Sequence, residues 1–277
     1  MILRLINLFP NWKKITNREV PVPSLVLPNF QNFQKMHSPK FITILYSTTM
    51  VQALAADLKT QTRRTKGLDA INENPDLYRY DGNDNAFEEK PIDRLYHWFE
   101  KLHVNGNPRE LYTRVKCPYG EVGDVLWVRE SFTKIKSLET GITYILPKAD
   151  DEHYKEKTIQ GSTIKWKPSI HMPKEACCFF LKITDIRCER LHDISENDIH
   201  REGVVVPNYL VLGKENNAIS FWPKGRNLKD NPPTRFENMF AHWAELWCKI
   251  NGQKSWYHNP WVWVISFIKI EKPENFI

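Results

Sequence analysis

Apolar residues occur along this chain in short runs divided by polar and proline-bearing stretches, and the period changes from run to run. Phe41 to Tyr46 is a compact apolar run of strand length. Thr48 or Thr49 then caps a helix with Met50, Leu54 and Leu58 on one face. Residues 122–132 open with a Gly-Asp turn and continue as a strand through Leu126, Trp127 and Val128. Residues 134–165 suit a hairpin or loop, and the two prolines of Trp166-Lys167-Pro168-Ser169-Ile170-His171-Met172-Pro173 stiffen an extended segment. Residues 177–190 alternate as a long strand. A short helix follows, with Ser195 and Asp198 spaced as a capping pair and Gly203 as terminator.

Thr234 and Glu237 repeat that capping spacing, and Phe236, Phe240, Trp243, Trp247 and Ile250 mark one face of a helix ending near Gly252. Residues 261–270 are apolar on both alternating faces up to Lys269, as a central strand requires. Strands dominate and two or three short helices punctuate them. The pattern predicts an α+β fold, a small mixed β-barrel with flanking helices and long polar insertions near 67–115, 134–162 and 204–233. No internal repeat is visible.

Periodicity begins only after Met36. Pro21, Pro23 and Pro28 make the preceding stretch extended, and Arg4, Pro10 and Lys13-Lys14 break its apolar start. Residues 1–35 are therefore expected to be an extension or a mis-assigned leader, and 36–277 the domain.

Composition narrows the classes. The chain has 277 residues, 41% hydrophobic and 26% charged, which excludes a collagen-like or wholly disordered polymer. No window carries the roughly 18 apolar residues of a membrane span, so no membrane partner is expected. The five cysteines lack C-x-x-C spacing and read as inert thiols of a reducing cytoplasm. Net charge is +6, but residues 1–66 hold ten bases and two acids. A basic end on a near-neutral body suits an anionic partner such as RNA, or a solvated tail with none.

Motifs for familiar chemistries are missing. There is no phosphate-binding G-x-x-x-x-G-K-[ST] loop, no H-E-x-x-H metal pair and no G-x-S-x-G elbow. Neither metal nor cofactor is expected. The chemistry-bearing pieces are the run Lys59-Thr60-Gln61-Thr62-Arg63-Arg64, an acid at Glu202, and the stiff segment around His171. Read by itself, the basic run suits phosphate contacts, and His171 suits a structural wedge or a pocket wall. Trp127 and Trp166 suit core, pocket wall or a base-stacking platform.

Together these pieces resemble ASCH domains, a branch of the PUA-like β-barrels. The resemblance rests on Lys59–Arg64 after a short helix, on Gly123-Asp124-Val125-Leu126-Trp127-Val128-Arg129-Glu130, on Glu202-Gly203 closing a strand–loop–helix, and on the final apolar strand. The wording of residues 166–173 and 259–264 is similar to ASCH-like proteins of bacteriophages and prophages. The matching pieces cover about half of residues 36–277. The family includes an amidohydrolase that removes the acetyl group of N(4)-acetylcytidine, a ribonuclease and RNA binders. The resemblance implies a Lys–Thr–Glu triad at Lys59, Thr62 and Glu202, and a pocket drawing on Arg63, Arg64, Trp127, Arg129, Glu130 and His171. It implies RNA or a modified nucleoside as partner. A non-catalytic RNA-binding module and a phage structural or interaction protein are the alternatives.

Overall fold

Ten successive residues, Trp261–Ile270, form the strand on which the molecule is organised, and its first five are buried on both faces. Only a strand with neighbours on either side and layers above and below can bury Trp261, Val262, Trp263, Val264 and Ile265 together. The computed structural model describes residues 38–82, 96–102, 112–136, 141, 143–150, 165–204 and 234–276. The extension expected at 1–35 and nearly all of the insertion expected at 204–233 lie outside those residues.

The described chain is mixed α+β. Its strands are β1 (Phe41–Leu45), β2 (Gln61–Arg64), β3 (Tyr78–Gly82), β4 (Tyr96–Lys101), β5 (Tyr112–Lys116), β6 (Val125–Arg129), β7 (Phe132–Lys136), β8 (Thr143–Pro147), β9 (Phe180–Arg190) and β10 (Trp261–Ile270). Its α-helices are α1 (Thr48–Ala55), α2 (Asp69–Asn72), α3 (Glu196–Arg201), α4 (Arg235–Asn251) and α5 (Gln253–His258). The main sheet runs β1-β6-β9-β10-β2, with β1 parallel to β6 and the other pairs antiparallel.

The expected barrel does not close among the described residues: β1 and β2 are the two edges of this sheet. The edges approach through a side chain instead, because Arg64 Nη2 of β2 donates to the Leu45 carbonyl at the end of β1 at 3.0 Å. The 67–115 segment, expected as an insertion, carries α2 and the three-stranded sheet β3-β4-β5. Phe99 of β4 is fully buried edge-on to Trp261, so this small sheet belongs to the main core.

Strand alternation separates the cores. On one face of the main sheet, Ile44, Tyr46, Leu126, Val128, Trp263 and Ile265 pack with Met50, Val51 and Leu54 of α1. On the other face, Val262 and Val264 pack with Ile199 of α3 and with Met239, Trp243, Ala244 and Trp247 of α4. A complete capping box starts α4: Thr234 N–H donates to Glu237 Oε2 and Glu237 N–H to Thr234 Oγ1. Phe236 and Ile250, expected on the buried stripe, lie at its ends and are exposed.

Candidate functional site

Local chain geometry delivers Lys59 to the edge of the sheet. Ser47, one residue before the expected caps, accepts from Met50 N–H to start α1. The helix ends as Asp57 enters the left-handed region (φ 56°), and Leu58 and Lys59 N–H both return to the Ala53 carbonyl. The reversal leaves Leu58 exposed rather than on the helix face. Lys59 then forms a β-bridge with Glu202, reinforced by Thr60 N–H to the Arg201 carbonyl at 2.8 Å.

Glu202 arrives from the other side at the end of α3, which is capped by Ser195 Oγ accepting from Asp198 N–H. Gly203 must follow it. Its φ is +82°, and a Cβ there would lie 2.9 Å from Ala53 Cβ and 3.2 Å from Lys59 Cβ. Glycine thus serves both as the left-handed terminator and as the gap through which the two segments touch.

The side chains converge on one buried carboxylate. Lys59 Nζ donates to Glu202 Oε2 at 2.7 Å and to the Glu202 carbonyl at 2.9 Å. Arg63 Nη1 donates to Glu202 Oε1 at 2.9 Å and to Gln61 Oε1 at 2.9 Å. The Lys59, Arg63 and Glu202 side chains are at most 1% exposed. Behind Arg63 the network continues: its Nε reaches Glu189 at 3.0 Å and its Nη2 reaches Asp198 at 3.4 Å. Arg187 Nη2 donates to Asp198 at 2.7 Å and to Glu189 at 3.1 Å. The Arg63 guanidinium also faces the Trp243 ring at 5.7 Å.

Alternation along β2 puts Thr62 and Arg64 on the face opposite Gln61 and Arg63. That face carries Tyr46. Its ring lies 5.6 Å from Lys59 Nζ and 5.2 Å from the Arg64 guanidinium carbon. Thr62 is fully buried and Tyr46 is 3% exposed, and neither hydroxyl has a hydrogen-bond partner among the described residues. The two hydroxyls are near enough for Thr62 to act on the acidity of the phenol, yet they do not meet hydrogen-bond geometry.

Electrostatics follow from burial. Desolvation pushes the Lys59 ammonium below its ordinary pKa; Glu202 pulls it back up, while Arg64 and Arg63 push it down further. Burial opposes the Arg63 cation too, but Glu202 and Glu189 outweigh it and hold its pKa above the usual value. Burial raises the Tyr46 phenol well above its ordinary range, with Arg64 opposing, so the phenol keeps its proton.

Of the residues singled out by sequence, Lys59, Arg63 and Glu202 are thus joined in one buried network, while Thr62 and Arg64 lie on the other face of β2 with Tyr46, whose ring is 5.6 Å from Lys59 Nζ. The others lie elsewhere. Trp127 lies on the opposite face of β6 from Leu126 and Val128, packed with Phe180 and Phe276. Arg129 shares that face, stacks over Trp127 and donates to the Ile170 carbonyl. Glu130 is buried, with Oε2 accepting from Ala149 N–H at 3.0 Å. His171 is exposed on a single 3-10 turn, Ser169–His171. The pattern of residues 122–132 identified a strand but not which of its faces packs with Tyr46 and α1, and that choice removes Trp127 and Arg129 from the site. Conversely, Tyr46, Arg187, Glu189 and Asp198 were missed. Arg187 and Glu189, two apart on a strand among apolar residues, are the signal that would have pointed to a buried ionic face.

Among the described residues, no group of three or more His, Cys, Asp or Glu side chains is placed to hold a metal ion, and no helix is long and apolar enough to cross a membrane. The chain matches no family model, no curated protein and no solved structure in the three comparisons made.

Proposed function

We propose that this chain is an ASCH-type, PUA-like protein that hydrolyses the amide of an acylated nucleoside, with N(4)-acetylcytidine as the type substrate. The observation that carries the reading is the buried contact of Lys59 with Glu202, with a buried, unpartnered Thr62 hydroxyl three residues on from Lys59 in β2. Two segments about 140 residues apart in sequence meet there.

In this reaction Thr62 Oγ attacks the acyl carbon and its proton passes to the Lys59 amine. A threonine hydroxyl needs such a base, and burial with Arg64 and Arg63 nearby favours the neutral amine that can act as one. Two ammonium protons are directed to Glu202, so the Lys59–Glu202 hydrogen bond is the route by which the amine sheds its proton. As the tetrahedral intermediate collapses, the C–N bond breaks and the base amine leaves with a proton returned through Lys59. Water then cleaves the Thr62 ester, releasing the acid. The net change is amide plus water to acid plus amine.

The alternative, a module that only holds RNA phosphates, needs Lys59 and Arg63 at the surface. Both are buried and matched to carboxylates, which favours the enzyme reading. The test is chromatographic release of cytidine from N(4)-acetylcytidine. Wild type is expected to turn over, and Lys59→Met and Thr62→Val to lose turnover while staying folded. Equal turnover by Thr62→Val, or none by the folded wild type, overturns the proposal.

A further inference from the structure

Tyr46 follows β1 directly, and its backbone N–H is held by the Arg129 carbonyl of β6 at 3.0 Å. Its position is therefore fixed by the sheet and not by its hydroxyl. Two basic side chains lie near its ring, Lys59 Nζ at 5.6 Å and the Arg64 guanidinium carbon at 5.2 Å. A hydroxyl left unpaired in a protein interior is destabilising. Here both Tyr46 Oη and Thr62 Oγ1 are buried without hydrogen-bond partners among the described residues. Such a pair suits a ligand that offers the phenol an acceptor and meets the Thr62 hydroxyl with a neighbouring atom.

The chemistry of that atom is constrained. Tyr46 stays protonated, so it donates. Arg64, and Lys59 once it has taken the Thr62 proton, make the surroundings positive, so the accepting atom develops negative charge. Thr62, as nucleophile, must lie in contact with the carbon bearing that atom. A carbonyl oxygen that becomes an oxyanion when the carbon is attacked meets all three conditions.

We infer that Tyr46 Oη is the hydrogen-bond donor to the acyl carbonyl oxygen, and to the oxyanion formed when Thr62 adds to it. This rests on the amidohydrolase reading above. When the Thr62 Oγ–C bond forms, the carbonyl π pair moves to oxygen and Tyr46 keeps its O–H bond throughout. When the C–N bond breaks, the pair returns and the contact reverts to an ordinary hydrogen bond. The donor is pre-placed by β1 and β6, as an oxyanion donor must be to act without reorganisation.

The test compares wild type with Tyr46→Phe, which keeps the ring and removes only the hydroxyl. Three quantities are read: kcat for N(4)-acetylcytidine, its Kd measured by calorimetry in the Thr62→Val background with and without Tyr46→Phe, and the melting temperature without ligand. The inference expects kcat to fall about 10²- to 10³-fold and Kd to weaken roughly three- to tenfold. Cytidine, which lacks the acyl carbonyl, should show no change in Kd. The ligand-free melting temperature should hold or rise, because an unpaired hydroxyl has been removed. A hydroxyl with a purely structural partner would instead lower the melting temperature, and that result overturns the inference, as does a kcat within a factor of about three of wild type. If wild type binds but does not hydrolyse, and Tyr46→Phe still weakens the acetylated ligand alone, the hydrolase reading fails and the donor assignment stands. If wild type neither binds nor hydrolyses, both fall.

Discussion

Replacing Glu202 with alanine removes one carboxylate from a cluster in which Lys59, Arg63 and Arg187 face Glu202, Glu189 and Asp198. Arg63 keeps Glu189 and Asp198, whereas Lys59 is paired with no other carboxylate in the cluster and its side chain has no exposed area. The loss therefore falls on Lys59. Breaking a buried pair by removing one partner costs about 3–5 kcal/mol, since a buried charge is left uncompensated. For a domain of this size that corresponds to a fall in melting temperature of roughly 6–20 °C. The cost also depends on pH. Burial holds the folded pKa of Lys59 below 10.5, and losing Glu202 removes the group that pulls it back up. Between the folded value and 10.5 the unfolded chain binds more protons, so stability rises with pH across that window. The destabilisation is complete below the folded pKa and is relieved above it. The assay is thermal unfolding of wild type, Glu202→Ala and Lys59→Met/Glu202→Ala across that pH range. The double variant removes both charges and should recover most of the loss. A single variant melting within about 2 °C of wild type, or a double variant no more stable than the single, would refute the reasoning.

Gly203→Ala should cost about 2 kcal/mol, from a left-handed backbone and contacts at 2.9 and 3.2 Å with Ala53 and Lys59. By shifting Glu202 it should also remove turnover; a variant with wild-type melting and activity would show that the two segments can separate freely. His97 is buried against Trp263 with Tyr80 Oη 2.8 Å from its Nδ1, and burial depresses its pKa from 6.5 to about 4. Its folded pKa lies below the unfolded one, so the stability it contributes is present above 6.5 and lost as pH falls through about 4. The loss amounts to about 3 kcal/mol, and His97→Phe should flatten it in unfolding curves collected over that range; an unchanged slope would clear His97 of the effect.

Much of the architecture was legible because its signals are local. The double-faced apolar run at 261–270 announced the central strand, and the Ser195 and Thr234 spacings announced two helix starts that the backbone adopts. The meeting of Lys59 with Glu202 came from the resemblance alone, since no periodicity relates residues 143 apart. Tyr46 escaped notice because a tyrosine ending an apolar run reads as core, which it also is. The role proposed for it depends on β1 and β2 being the two edges of the sheet, and strand order is not a local property. The same reason explains His171 and Trp127: their residue types suit a pocket, but the faces and turns that carry them point elsewhere. Among the described residues the barrel expectation failed on closure, where a four-residue β2 meets the end of β1 through an arginine rather than through backbone pairing.

The account turns on Thr62 as the nucleophile, and the intermediate it would carry can be caught. Protein mixed briefly with N(4)-acetylcytidine labelled in the acetyl group, quenched in acid and digested, should yield the label as an ester on the peptide bearing Thr62. Lys59→Met and Thr62→Val should yield none. Release of cytidine with no label on that peptide, or label retained in Thr62→Val, would contradict it.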